Sequence, residues 1–182
     1  MIRKGGNKRS RVNVSTVESQ RKSTRGLPQE TIRILTLGIG DPTTAGYNNQ
    51  ILTKEYIQSF VDNEIKDGYQ IVLFPMPPDE SHSILVNLDN NTESIMISEW
   101  GGKDHRNIRD KKWKNYTTFI KCLETRFGGY DSVNYHENDI EINDRACERA
   151  KKNNGQGGCS EYVHKWIEKY IGKGEKAILF EE

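Results

Sequence analysis

Long apolar runs are missing from this chain of 182 residues. No stretch approaches the ~20 apolar residues that a helical membrane span requires, so a transmembrane helix is not expected. The N-terminus has basic residues but no apolar segment behind them, so no cleaved secretory signal is expected either. Cysteine is scarce, with three residues: Cys122, Cys147 and Cys159. So few, and odd in number, they do not make a disulfide framework. They point instead to free thiols in a reducing compartment, cytoplasmic or nuclear. No group of Cys and His has ligand spacing, so neither a metal nor another cofactor is expected.

A strong charge of one sign is also missing: 27 basic and 26 acidic residues give a net charge of +1. That balance conceals an asymmetry. Residues 1–26 hold eight basic side chains (Arg3, Lys4, Lys8, Arg9, Arg11, Arg21, Lys22 and Arg25) against one acid, Glu18. This segment therefore carries +7, which leaves −6 on residues 27–182. Its few apolar residues have no sustained period, so a disordered basic tail is expected at 1–26 and a folded domain at 27–182. Such a tail suits contact with nucleic acid or the nuclear-import machinery, and equally suits plain solubilisation.

From Leu27 the pattern becomes globular. Ile32–Ile39 reads as a strand, followed by a Gly/Asn-rich loop to Asn49. Its GIGDPTTAG segment lacks the Lys-Ser/Thr ending of a phosphate-binding loop, so nucleotide binding is not expected there. Thr53 is placed to cap a helix bearing Tyr56, Ile57, Phe60, Val61 and Ile65, which Gly68 closes. Tyr69–Phe74 reads as a buried strand that stops at Pro75. Ser83–Leu88 and Ser94–Ser98 read as a hairpin around Asp89–Thr92. Trp113, Tyr116, Ile120, Leu123 and Phe127 mark a second helix, ended by Gly128-Gly129. Asp139–Ile142 reads as a short strand, and a third helix runs from about Cys159 to Ile171. The order predicts an α+β fold: a central, mostly antiparallel sheet flanked by helices, with Cys159 at the N-terminus of a buried helix.

Cys159 opens the apolar stripe Tyr162, Val163, Trp166, Ile167, Tyr170 and Ile171. It is therefore either a small buried hydrophobe or a thiol activated by the positive end of the helix dipole. Gly157 and Gly158 leave backbone room for something to approach it. A nucleophilic thiol needs a histidine base. His164 sits five residues on, on another face of the same helix, which leaves His82, His105 and His136. With Asn90 and Asn91 as the two turn residues, the hairpin puts Ile84 opposite Ile97, Val86 opposite Ile95 and His82 opposite Glu99. Opposed side chains have Cβ atoms ~4.5–5.5 Å apart, close enough for a carboxylate to orient an imidazole. A solvated pair at the open end of a hairpin is the competing reading.

The order His82, Glu99, Cys159 resembles the clan of cysteine proteases that includes the SUMO/ubiquitin-like-protein proteases, the adenovirus protease and YopJ-type effectors. IVLFPMPPDESHSILVNLD is similar to its strand–loop–His–strand segment, SEW supplies the acid, and NNGQGGCSEYV is similar to its nucleophile loop. Upstream, ILTKEYIQSF is similar to its preceding helix, so the resemblance spans about Leu52–Ile171. It implies a thiol isopeptidase acting on ubiquitin or a ubiquitin-like modifier, with Cys159 as nucleophile, His82 as base and Glu99 as orienting acid. The oxyanion amide falls on Asn153, with Gln156 as the alternative. Trp100, with Gly157 and Gly158, would line the substrate channel, though Trp100 is equally an ordinary core aromatic. Departures are Ser83 for the tryptophan that commonly follows the histidine, and Gly158 and Ser160 for the residues flanking the cysteine. A YopJ-like acetyltransferase on the same three residues and a non-catalytic modifier-binding pseudoprotease are the alternatives. The abundance of Lys and Asn fits an AT-rich genome, such as that of a virus or intracellular bacterium, and delivery into a host cell.

Overall fold

A computed structural model describes residues 32–105, 108–129 and 132–172. The basic segment 1–26 lies outside the described residues. Among the described residues, five strands and four α-helices follow one another: β1 (Arg33–Thr36), α1 (Lys54–Glu64), β2 (Gly68–Met76), β3 (Glu80–Asp89), β4 (Ser94–Ser98), α2 (Lys114–Arg126), β5 (Val133–Tyr135), α3 (Ile140–Lys152) and α4 (Gly158–Tyr170). The strands form one sheet in the order β1-β2-β3-β4-β5. β2, β3 and β4 pair antiparallel, while β1 joins β2 and β5 joins β4 in parallel. The fold is therefore α+β, a mixed five-stranded sheet with two helices on each face.

Strand alternation sorts the core into two layers. Val72 and Phe74 of β2, with Ile84, Val86 and Leu88 of β3, pack with Ile57, Val61, Phe119, Ile120 and Leu123 of α1 and α2. Their neighbours Ile71 and Leu85 face the other way, onto Ile142, Ala146, Tyr162, Val163, Trp166 and Ile167 of α3 and α4. Thr53 caps α1 as its position implies, its hydroxyl accepting from Tyr56 N–H at 3.1 Å.

Four expectations need correction. β1 is shorter than the run Ile32–Ile39, although the Leu37 N–H still donates to Leu73 O at 2.7 Å. β2 continues through Pro75 to Met76. Proline is tolerated because β1 has already ended at Thr36, opposite Leu73, so the missing N–H falls on an unpaired edge. The Pro75 carbonyl on that edge is taken by the Asn115 amide at 2.9 Å. The hairpin turn has four residues rather than two, with Asp89 opposite Ser94 and Val86 opposite Ile97. Finally, Asp139–Ile142 is not a strand. Asp139 caps α3 by accepting from Ile142 N–H at 3.0 Å, and Ile142, Ala146 and Ala150 form a narrow buried stripe. The extra edge strand is β5, just before it.

Candidate active site

β3 emerges from the short turn after Met76 with His82 as its third residue. The imidazole points to the α2 face and is buried against Phe74, Trp113 and Tyr116, with ring centroids 5.8, 5.1 and 5.7 Å away. Glu99 follows the end of β4 and is 2% exposed. Its Oε2 accepts from His82 Nε2 at 2.7 Å and from His105 Nδ1 at 3.1 Å. Its Oε1 accepts from the Tyr116 hydroxyl, which in turn accepts from Tyr135 Oη at 2.8 Å. A buried carboxylate is tolerable only when its oxygens are hydrogen-bonded, and here three donors meet them.

Cys159 is the second residue of α4, where backbone N–H groups have no partner within the helix. The left-handed Gly157 (φ 90°) turns the chain into the helix. Cys159 belongs to neither core layer. Its thiol is half-buried and donates to the Ser81 carbonyl at 3.9 Å, beside His82. With Nε2 of His82 engaged by Glu99, Nδ1 is the ring nitrogen outside that bond.

The charges are mutually supporting. Burial pulls the His82 imidazole down, but hydrogen bonds to Cys159 and Glu99 and their charges overcome it and push it up to about 10. Burial pushes the Cys159 thiol up, yet contact with His82 and with the N–H and hydroxyl of Ser83 brings it below the usual thiol range. Glu99 is held below the usual carboxylate range, its burial outweighed by His105 and His82. The arrangement favours a thiolate beside an imidazolium whose far side rests on a carboxylate. In such a pair the sulfur carries more thiolate than an ordinary thiol does.

Cys159 and His82 line a cleft of about 1150 Å³ together with Trp100, Gln156, Gly157 and Gly158. Of the two amides considered for the oxyanion, Gln156 is therefore on the cleft wall. Asn153 is not among the cleft-lining residues; it ends α3, its N–H bonded to Arg149 O and Ala150 O. Trp100 packs against the α4 layer and also reaches the cleft, its ring pressed on the Gly158 backbone.

Two histidines remain, His136 and His164. His136 stacks on Trp166 with centroids 4.9 Å apart. His164, expected on another face of its helix, also reaches the cleft wall, where burial first and Lys165 second lower it to about 4, so it is neutral. His105, Tyr116 and Tyr135 are the members of the cluster whose roles at Glu99 the sequence reading missed. Tyr116 was legible only as one residue of an apolar stripe.

Ligand atoms of His82, Glu99 and His105 lie within 4.8 Å of one another, a grouping that sequence spacing did not reveal. Both imidazoles, however, contact the same Glu99 oxygen at hydrogen-bond distances of 2.7 and 3.1 Å. Protons between these atoms account for that geometry. In comparisons with known proteins, the chain matches no family model, no curated protein and no solved structure.

Proposed function

We propose that this chain is a thiol isopeptidase of the clan its motifs resemble, cleaving ubiquitin or a ubiquitin-like modifier from its conjugates. The observation that carries the reading is that His82, bonded to Glu99 at 2.7 Å, lines one open cleft with Cys159 at the start of a helix, whose thiol donates to the carbonyl of Ser81, the residue before His82.

The Cys159 thiolate attacks the carbonyl carbon of the scissile bond. The oxyanion that forms is met by the Cys159 backbone N–H and the Gln156 amide. Such donors elsewhere contribute ~2.7–4 kcal/mol each. His82 gives its proton to the leaving amine as the C–N bond breaks, leaving a thioester on Cys159. His82 then takes a proton from water, which attacks the thioester, and the C–S bond breaks to release the acid and restore the Cys159 thiolate beside protonated His82. Glu99 keeps the imidazole oriented and stabilises its charged form throughout. The modifier as substrate follows from the motif resemblance, and the acidic balance of residues 27–182 suits the basic faces common on such modifiers.

The test is a panel of modifier C-terminal propargylamide probes applied to the full chain. Labelling of wild type, lost in Cys159→Ala, is the expected result. Absence of labelling by every modifier, with acetyl transfer from acetyl-CoA, would replace hydrolysis by acyl transfer. Inertness in both assays with retained modifier binding would leave a pseudoprotease.

A further inference from the structure

Ser83 follows His82 on β3 and so faces the opposite side of the sheet, the side packed by α4. It is 7% exposed, and among the described residues its Oγ is a buried side-chain oxygen with no conventional hydrogen-bond partner. An unpaired buried hydroxyl is costly, so it calls for an explanation. The strand pairing supplies one. β4 pairs with β3 only as far as Leu85, opposite Ser98, and the start of β3 has an open edge on that side. The N-terminus of α4 brings the Cys159 sulfur into this gap. There the Ser81 carbonyl accepts from the thiol at 3.9 Å, and both the N–H and the hydroxyl of Ser83 bear on the same sulfur.

We propose that Ser83 holds the charged form of the nucleophile, its hydroxyl donating to the Cys159 sulfur once the thiol has lost its proton. The two forms use different partners on one strand edge. The neutral thiol donates to Ser81 O and offers Ser83 only a weak acceptor. The thiolate has no proton for Ser81 but is a strong, charge-assisted acceptor for both Ser83 donors. The hydroxyl that lacks a partner beside the neutral thiol is thus matched to the ionised sulfur. This rests on the reading of Cys159 as the working nucleophile, but its test needs no substrate.

The test is the pH dependence of Cys159 alkylation by iodoacetamide in the full chain, read on the Cys159 peptide by mass spectrometry. Wild type, Ser83→Ala, Ser83→Thr and Ser83→Val are compared after circular dichroism has shown which are folded. Ser83→Ala and Ser83→Val should move the midpoint up by about one pH unit, slowing alkylation about tenfold below it. Ser83→Thr should stay near wild type. Thr and Val have the same bulk, so their difference isolates the hydroxyl even where Ala or packing disturbs the fold. Ser83→Val titrating with Ser83→Thr, or a folded Ser83→Ala titrating with wild type, would overturn the proposal. A shifted midpoint without labelling by any modifier probe would sink the isopeptidase reading alone. An unshifted midpoint with intact labelling would sink only the role of Ser83.

Discussion

His82 and Glu99 are joined by a 2.7 Å hydrogen bond although they are not opposite each other across the hairpin. The observed ladder, with Leu85 opposite Ser98, would bring His82 opposite Gly101 if it continued. Glu99 is therefore the diagonal neighbour, two positions away and on the same face. Diagonal pairs start ~7–8 Å apart and are bridged only by long or aromatic side chains. A glutamate and a histidine together span that gap; a shorter acid would not reach as well.

Glu99→Gln is the first consequence. The amide keeps the size but loses the charge, and its NH₂ cannot accept from Tyr116 or from an imidazole. His82 should lose its raised affinity for the proton, and the Cys159 thiol should move up with it. Turnover is expected to fall roughly 10²–10⁴-fold, as when other such acids are neutralised. The alkylation midpoint of Cys159 should rise in parallel. A turnover loss with an unmoved midpoint would mean that Glu99 acts on something other than this pair.

Two histidines share Glu99, but only His82 is coupled to the sulfur. His82→Asn should abolish turnover, whereas His105→Asn should lower kcat/KM by less than about tenfold, leaving the carboxylate with His82 and Tyr116 as donors. The same comparison bears on metal binding. If the cluster works through protons, prolonged dialysis against EDTA should leave turnover unchanged. Loss on chelation, restored by a divalent ion, would make His82, Glu99 and His105 a metal site instead.

Side-chain period explains which parts were readable in the sequence. Asn90-Asn91 looked like a two-residue turn, but Asp89 accepts from Asn91 N–H and Glu93 turns left-handed (φ 52°), giving a four-residue turn. The register error was two residues, and because strands repeat every two, every face assignment survived it. That is why His82 and Glu99 could be brought together from the wrong ladder. α3 was misread because Ile140-Glu141-Ile142 alternates like a strand. The helical signal lay in the Asp139 cap and in two alanines, Ala146 and Ala150, whose small side chains make a faint stripe within a charged segment. The bonds of His105 and Tyr116 to Glu99 were out of reach for another reason. Nothing local marks a residue whose role is to donate to a carboxylate brought near by the fold.

Gly158 is a position where packing and chemistry meet. A methyl group built there would come within 2.3 Å of the Trp100 ring. Gly158→Ala should therefore force the ring or the start of α4 to move, at an overpacking cost of about 1–3 kcal/mol. Because Cys159 is the next residue, turnover should fall as well as Tm. Combining it with Trp100→Leu should recover part of the lost stability, a coupling that two independent defects would not show. Additive losses in the double variant would place the two residues out of contact.

The opposed shifts of Cys159 and His82 fix the expected pH profile. The thiol is lowered and the imidazole raised to about 10, so thiolate and imidazolium coexist between the two values. Alkylation needs only the thiolate. It should rise with an onset below that of an ordinary thiol and stay high at alkaline pH. Turnover also needs the His82 proton for the leaving amine, so it should rise with alkylation and then fall as pH passes about 10. Stability follows the same sign. The contribution of His82 is full below the ordinary imidazole value of 6.5 and is lost as pH rises through about 10. Urea unfolding at pH 6 and at pH 10 should therefore show a loss at the higher pH that is smaller in His82→Asn. Parallel decline of alkylation and turnover above pH 10 would instead indicate unfolding of the site, not removal of one proton.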